Sequence, residues 1–256
     1  MRWHTVTLAQ PAPEDLSLPD TLTILLIILL SGLIQGITGF GFGLFAMGAL
    51  VLIMPVRDAT VIVAILSLGS AALNLSSVWK QIPWRDSWPV VLPAIPATIA
   101  GVLMLQIVPT QVLKAGVALM ILAGCAVTFW HPARPLVSRP NPAAYLTGIV
   151  GGIFGGALNM GGPPIVLYTL LRGWDKTEAK CIMSSFFLVT GVLRVGTHAV
   201  TGAATWPLVQ TALLLLIPAL AATFVGVHVF RRLSTRSFRY AAAGLLVALA
   251  VRVLAG

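Results

Sequence analysis

Two glycine-rich stretches are where this chain could do chemistry. The first is Gly36-Ile-Thr-Gly39-Phe40-Gly41-Phe42-Gly43. The second runs from Gly151-Gly-Ile-Phe-Gly-Gly156 to Asn159-Met160-Gly161-Gly162-Pro163-Pro164. A helix that breaks and restarts there turns free N–H groups and the positive end of its dipole toward the break, which suits an anion. Glycine permits close approach and positive φ. Pro163 and Pro164 fit a first helical turn, where no N–H is required. Asn159 adds a side-chain amide. The expected ligand cradle is therefore Gly39, Phe40, Gly41 and Gly43 on one side, with Asn159, Gly161 and Gly162 on the other. The pairs Gly32/Gly36 and Gly148/Gly152 have the four-residue spacing of close helix packing instead.

Two polar faces flank these stretches. Ser67, Ser70, Asn74 and Ser77 step by three, four and three residues, so they share one helix face. Ser184, Gly191, Arg194 and His198 share another. At an offset of 117, Ser67 matches Ser184, Ser77 matches Arg194 and Gln81 matches His198. Ser67 and Ser184 either line a cavity or hydrogen-bond between helices. Asn74 is expected at the site, because a buried amide is costly to leave unpaired. Arg194 is the only basic residue well inside an apolar segment, and such a charge marks function. It lies about two turns from the segment end, so snorkelling is the competing reading. His198 either switches protonation or sits satisfied at the interface.

No Asp or Glu lies within an apolar core, so no carboxylate cation site or carboxylate proton relay is expected. His4, His131, His198 and His228 are scattered, which disfavours a bis-His haem. The sequence has no Walker A, no GxSxG and no metal-ligand cluster. No enzyme activity, cofactor or metal is expected. Cys125 and Cys181 read as small buried hydrophobes.

The elements that must position these residues follow from composition. Of 256 residues, 58% are hydrophobic and 9% charged, with a mean hydropathy of +0.97. So little charge cannot cover so much apolar surface in water, so the solvent is a bilayer. The net charge of +9 sits mostly between apolar runs, as topology signals do, and does not point to nucleic acid. Charges delimit eight apolar segments: 21–56, 59–79, 87–113, 115–130, 140–171, 181–200, 207–230 and 240–251. All should be helical, because lipid leaves the backbone no other partner. The expected class is all-α and polytopic. Segments one and five, with 36 and 32 residues, exceed the ~20 of a single crossing. Each is expected to be two pieces of about 9–15 residues, broken or re-entrant at its glycine stretch.

The pattern repeats. Gly32-Leu-Ile-Gln-Gly36 aligns with Gly148-Ile-Val-Gly-Gly152, and Ile95-Pro96-Ala97 with Ile217-Pro218-Ala219. The organisation reads as a tail over 1–20 with no cleaved signal peptide, repeat one over 21–133, then linker and repeat two over 134–256. If every segment crosses, loop Lys and Arg divide six against nine. If segments one and five return to the side they left, the division is four against eleven, the stronger positive-inside bias. Each copy then crosses three times and the two copies are inverted. Lys80–Asp86, 131–142, 172–180 and 231–239 face the cytoplasm, and both termini face out.

Two repeats of four hydrophobic segments, each opening on a glycine-rich stretch, resemble the TauE/SafE sulfite exporters, also called the TSUP family. The stretches Gly36–Gly43 and Gly151–Ile165 are similar to that family's repeated motif, with Phe40 and Phe42 where a denser glycine run is common. The resemblance implies transport of small sulfur-containing anions such as sulfite, sulfonates or sulfoacetate. The expected function is a secondary anion transporter working by alternating access in the bacterial inner membrane. Its partners are the small anion and the bilayer, with no nucleic acid, and a homodimer stays open. The other class is a non-transporting membrane protein, such as an assembly factor or a redox or lipid enzyme.

Overall fold

The structure is a computed structural model that describes residues 18–129, 136–137 and 142–230. The N-terminal tail, most of the linker, the 231–239 loop and the eighth segment, 240–251, lie outside the described residues. The described residues form nine α-helices and one 3-10 turn: α1 Leu18–Thr38, α2 Phe42–Leu50, α3 Val56–Val78, then the turn Trp79–Gln81, α4 Trp84–Ile107, α5 Thr110–Phe129, α6 Pro142–Leu158, α7 Gly162–Leu171, α8 Lys176–Val200 and α9 Trp206–Phe230. Six of these, α1, α3, α4, α5, α8 and α9, are long and apolar enough to cross a membrane. The regular structure of the described residues is all helical, and the protein is a multi-pass membrane protein.

Segments one and five are each broken, the second pieces as short as expected and the first pieces longer. The first halves, α1 and α6, have 21 and 17 residues, and the second halves, α2 and α7, have 9 and 10. The glycines at 151–156 do not interrupt a helix, because all lie inside α6. Helix propensity alone disfavours them by ~1 kcal/mol each, but Gly152 and Gly156, with Gly148 one turn earlier, are used for close approach to α4. A Cβ on Gly148 would strike the Val90 carbonyl, one on Gly152 would crowd Ala94 and Ala97, and one on Gly156 would strike the Thr98 carbonyl. The same holds for α1 on α9: Gly32 lies against the Ala219 carbonyl, and Gly36 against the Thr223 carbonyl and Gly226. The four-residue spacing therefore marks packing, and α1–α9 and α4–α6 are the two most extensive helix interfaces.

The order of these contacts fixes direction. Along α6, residues 148, 152 and 156 meet successively later residues of α4, so the two helices run parallel. The same reasoning makes α1 parallel to α9. By contrast α3 and α8 are antiparallel: Val78 faces Cys181 near one end, while Leu68 and Ser67 face Gly191 and Arg194 farther along.

Helix ends show where each hairpin returns. Arg172, at the end of α7, pairs at 2.9 Å with Asp86 in the first turn of α4. Arg57, in the first turn of α3, donates to the last carbonyls of α4, Leu105 O at 3.2 Å and Gln106 O at 3.0 Å. The α6–α7 hairpin thus closes at the N-terminal end of α4, and α2 ends near the C-terminal end. The amides of Leu136 and Val137 donate to the Leu171 carbonyl, so this part of the linker lies at the Arg172 end. A capping box starts α8: Asp175 accepts from the Thr177 and Glu178 amides, and Glu178 accepts from the Asp175 amide.

Candidate functional site

The two hairpin tips meet. At the first tip, α1 ends at Thr38, and Gly39 and Gly41 take φ of 80° and 100°, which only glycine adopts readily. The Thr38 hydroxyl accepts from the Phe40 amide at 3.2 Å and lies within reach of the Ile34 and Phe40 carbonyls. Gln35 Oε1 accepts from the Phe42 amide at 3.0 Å and so caps α2 from the preceding helix. At the second tip, Asn159 takes φ of 58°, a conformation asparagine tolerates better than most residues. Its side-chain nitrogen donates to the Thr60 carbonyl at 2.8 Å. Pro163 and Pro164 open α7. Where the tips cross, a Cβ on Gly43 would fall on the Asn159 carbonyl, and one on Gly162 would lie 3.2 Å from the Phe40 ring.

A narrow pocket lies at this crossing, with about 330 Å³ of empty space counted out to its open mouth. One wall is Gly41, Phe42, Gly43 and Leu44 from the first turn of α2, with Gln35 behind it; another is Asn159, Met160 and Gly162 from the second tip; Ser67, Phe187 and Arg194 complete it. The amides of Gly43 and Leu44 belong to a first turn, which has no intrahelical acceptors.

Arg194 supplies the pocket's charge. It is 2% exposed. Its Nη1 donates to the Gly155 carbonyl at 3.2 Å and its Nη2 to Ser67 Oγ at 3.3 Å, while Nε has no partner. No acidic side chain among the described residues pairs with it. The head group is directed inward to α6 and α3, so it does not snorkel to an interface. A buried cation balanced only by neutral oxygens leaves positive potential in the pocket, and a low-dielectric wall strengthens it. Asn159 Oδ1 and Arg194 Nε in the lining are unpartnered buried polar atoms, as are Ser184 Oγ, Asn74 Oδ1 and both ring nitrogens of His198 outside it. Each such atom costs ~1–3 kcal/mol if nothing meets it.

Of the residues expected at a site, Gly41, Gly43, Ser67, Asn159, Gly162 and Arg194 line this pocket. Gly39, Phe40 and Gly161 shape the tips without lining it. Asn74 is fully buried one layer away and donates to the Gln35 and Ser70 carbonyls, so it braces α1 against α3. Ser184 and His198 are buried on α8 outside the lining. Ser77 is exposed and donates to the Asn74 carbonyl.

Sequence reasoning passed over Gln35, Leu44, Met160, Phe187 and Lys180. Gln35 had a signal: it is the one amide in an uncharged 36-residue segment. Lys180 counted as a loop cation, yet it is 3% exposed and its Nζ lies 3.4 Å from the Gly36 carbonyl at the end of α1. A cation there favours the helix C-terminus.

Crossed helical hairpins, broken at their tips around a buried cationic pocket, are set among membrane-length helices; paired broken helices of this kind are a recurring feature of membrane transporter folds. The chain belongs to the sulfite exporter TauE/SafE family, whose model matches residues 24–253. That family is one of exporters, not of enzymes. The chain is also similar to the probable sulfite/organosulfonate exporter TauE of Cupriavidus necator, 25% identical over 170 residues. The aligned stretch is 62% of this chain and 64% of that relative, just under two thirds of its length.

Proposed function

We propose that this protein is a secondary transporter that carries a small sulfur-containing anion, such as sulfite, a sulfonate or a sulfoacetate-like molecule, across the bacterial inner membrane by alternating access. The observation that carries this reading is Arg194: a buried guanidinium with no acidic partner among the described residues, facing the same pocket as the first turn of α2 and the second hairpin tip. Both half-helix starts and the guanidinium favour negative charge, and the guanidinium fork matches a pair of sulfur-bound oxygens. Phe42, Leu44, Met160 and Phe187 give the pocket an apolar wall, which suits a short organic tail better than a further charge.

The test is flux and binding together. Proteoliposomes loaded with sulfite or ethanesulfonate should release it faster than empty vesicles. Arg194→Lys should bind more weakly than wild type and Arg194→Gln more weakly still, with protein yield largely retained. Equal affinities in all three proteins would remove Arg194 from the site. No flux of any sulfur oxyanion by wild type would sink the transport reading.

The same reading makes the chain two inverted repeats with re-entrant first segments. Its support is that the hairpin tips approach the centre from opposite ends of α4, with each first helix parallel to the third segment of the other repeat, α4 or α9. The 80–86 loop, Leu136–Val137 and Arg172 share one end, and this is assigned to the cytoplasm by its excess of Lys and Arg. Single cysteines at 82 and 137 should be labelled only from the cytoplasmic side, and one at 203 only from outside. Labelling of all three from one side would refute the arrangement.

A further inference from the structure

We propose that His198 is a proton-binding site linked to anion occupancy of the Arg194 pocket, so that this protein takes up a small anion together with a proton. The inference rests on the reading of that pocket as an anion site. His198 is 1% exposed, and neither ring nitrogen has a hydrogen-bond partner. A histidine that merely fills a core would be expected to satisfy at least one nitrogen. It lies four residues beyond Arg194 on the same face of α8, so the two side chains are neighbours. It is also two residues from the end of α8, where the loop 201–205 begins, so a proton has a short path from water.

The charges around it are few. Arg194 is the charged group that acts on His198. On α8 itself, Asp175, Glu178 and Lys180 lie at the opposite end. Of the elements packed on α8, α3 carries Arg57 and Asp58 in its first turn, the 3-10 turn carries Lys80, α4 carries Arg85 and Asp86 in its first turn, α6 carries Tyr145, and α7 carries Tyr168 and ends next to Arg172. None of these compensates a second buried cation beside Arg194. With the pocket empty, protonating His198 would place two unbalanced positive charges one turn apart. An anion on Arg194 cancels that repulsion, and the imidazole then gains a proton from solvent at whichever nitrogen faces the pocket. Linkage makes the effect reciprocal: a proton on His198 tightens anion binding by the same factor that the anion tightens proton binding. The complex takes up one negative and one positive charge, and the electrical work of moving a monoanion falls accordingly.

The experiment uses full-length protein in detergent and ethanesulfonate as the probe, because a sulfonate keeps its charge across the whole range and adds no titration of its own. Affinity is measured by calorimetry between about pH 5 and 8, the window in which histidine titrates. Wild type should bind more tightly as pH falls, by up to about tenfold per pH unit. Binding in weakly buffered solution should take up protons at the pH where that slope is steepest. His198→Gln should bind with the weaker, high-pH affinity at every pH and take up none. His228→Gln, at an exposed residue on α9, should keep the wild-type slope. A flat wild-type profile, or a slope that survives in His198→Gln, overturns the proposal while leaving the anion site standing. If His198→Gln does not fold, wild-type proton uptake decides alone, and binding without uptake overturns it. No ethanesulfonate or sulfite binding at any pH overturns both this proposal and the anion site.

Discussion

The two hairpin tips do the same job by different means. The first is built from local parts: two glycines at positive φ, a threonine hydroxyl closing on its own turn, and Gln35 reaching seven residues ahead to cap α2. The second is held from outside. Asn159 is tied to α3 through the Thr60 carbonyl, and the last turn of α6 is tied to α8 through Arg194. Damage at the first tip should therefore act through its backbone. At the second, damage should also act through side chains, because Asn159 and Arg194 both hold that tip and line the pocket; at the first, Gln35 alone among the side chains does both.

The largest effect is expected where the tips touch. Gly43→Leu drives a side chain into the Asn159 carbonyl, and Gly161→Leu drives one into the Gly151 carbonyl. The obstacle in both cases is backbone, which cannot turn aside as a flexible side chain would. Both variants should abolish anion flux in proteoliposomes while still reaching the membrane, since no membrane-length helix is altered. Near wild-type flux in either variant would mean that the tips separate more freely than this packing allows.

The contrast between the tips also decides what could be read from sequence. The breaks themselves were legible, because a charge-free run of 36 or 32 residues with glycines midway cannot be one straight span. The second break was drawn too wide: it was expected from Gly151 to Pro164, and the helix is interrupted only at Asn159–Gly161, with Pro163 and Pro164 opening α7 as expected. Gly151 to Gly156 weaken a helix in isolation, but α4 packs directly on the face that carries Gly152 and Gly156, and propensity carries no information about a neighbour 50 residues away. Lys180 was misplaced for a related reason. It lies five residues into α8, where an exposed loop was expected, yet α1 ends beside it. Arg194 was legible as an intramembrane charge; its direction, inward to Gly155 and Ser67, depends on which helices surround it. Asn74 illustrates the limit from the other side. Its polarity marked it as important, but only the packing shows that it braces Gln35 rather than lining the pocket.

The smallest effects sharpen the comparison most, because they separate backbone strain from tertiary ties. Gly41→Ala places a Cβ at φ of 100° and breaks no side-chain tie, so it should destabilise by about 1–2 kcal/mol. Asn159→Ala carries a similar backbone cost at φ of 58° and also removes the bond to Thr60, worth about 1 kcal/mol. Asn159→Gly removes only the bond and relaxes the backbone, so it should cost about 1 kcal/mol or less. Thermal melts in detergent should then rank wild type above Asn159→Gly, followed by Gly41→Ala and, lowest, Asn159→Ala. Affinity should follow a different order. Both Asn159 variants delete an amide from the pocket wall and should bind ethanesulfonate more weakly, while Gly41→Ala should bind nearly as wild type where it remains folded. If affinity instead follows stability across the three variants, Asn159 only holds the tip in place, and recognition rests on Arg194 and the first turn of α2.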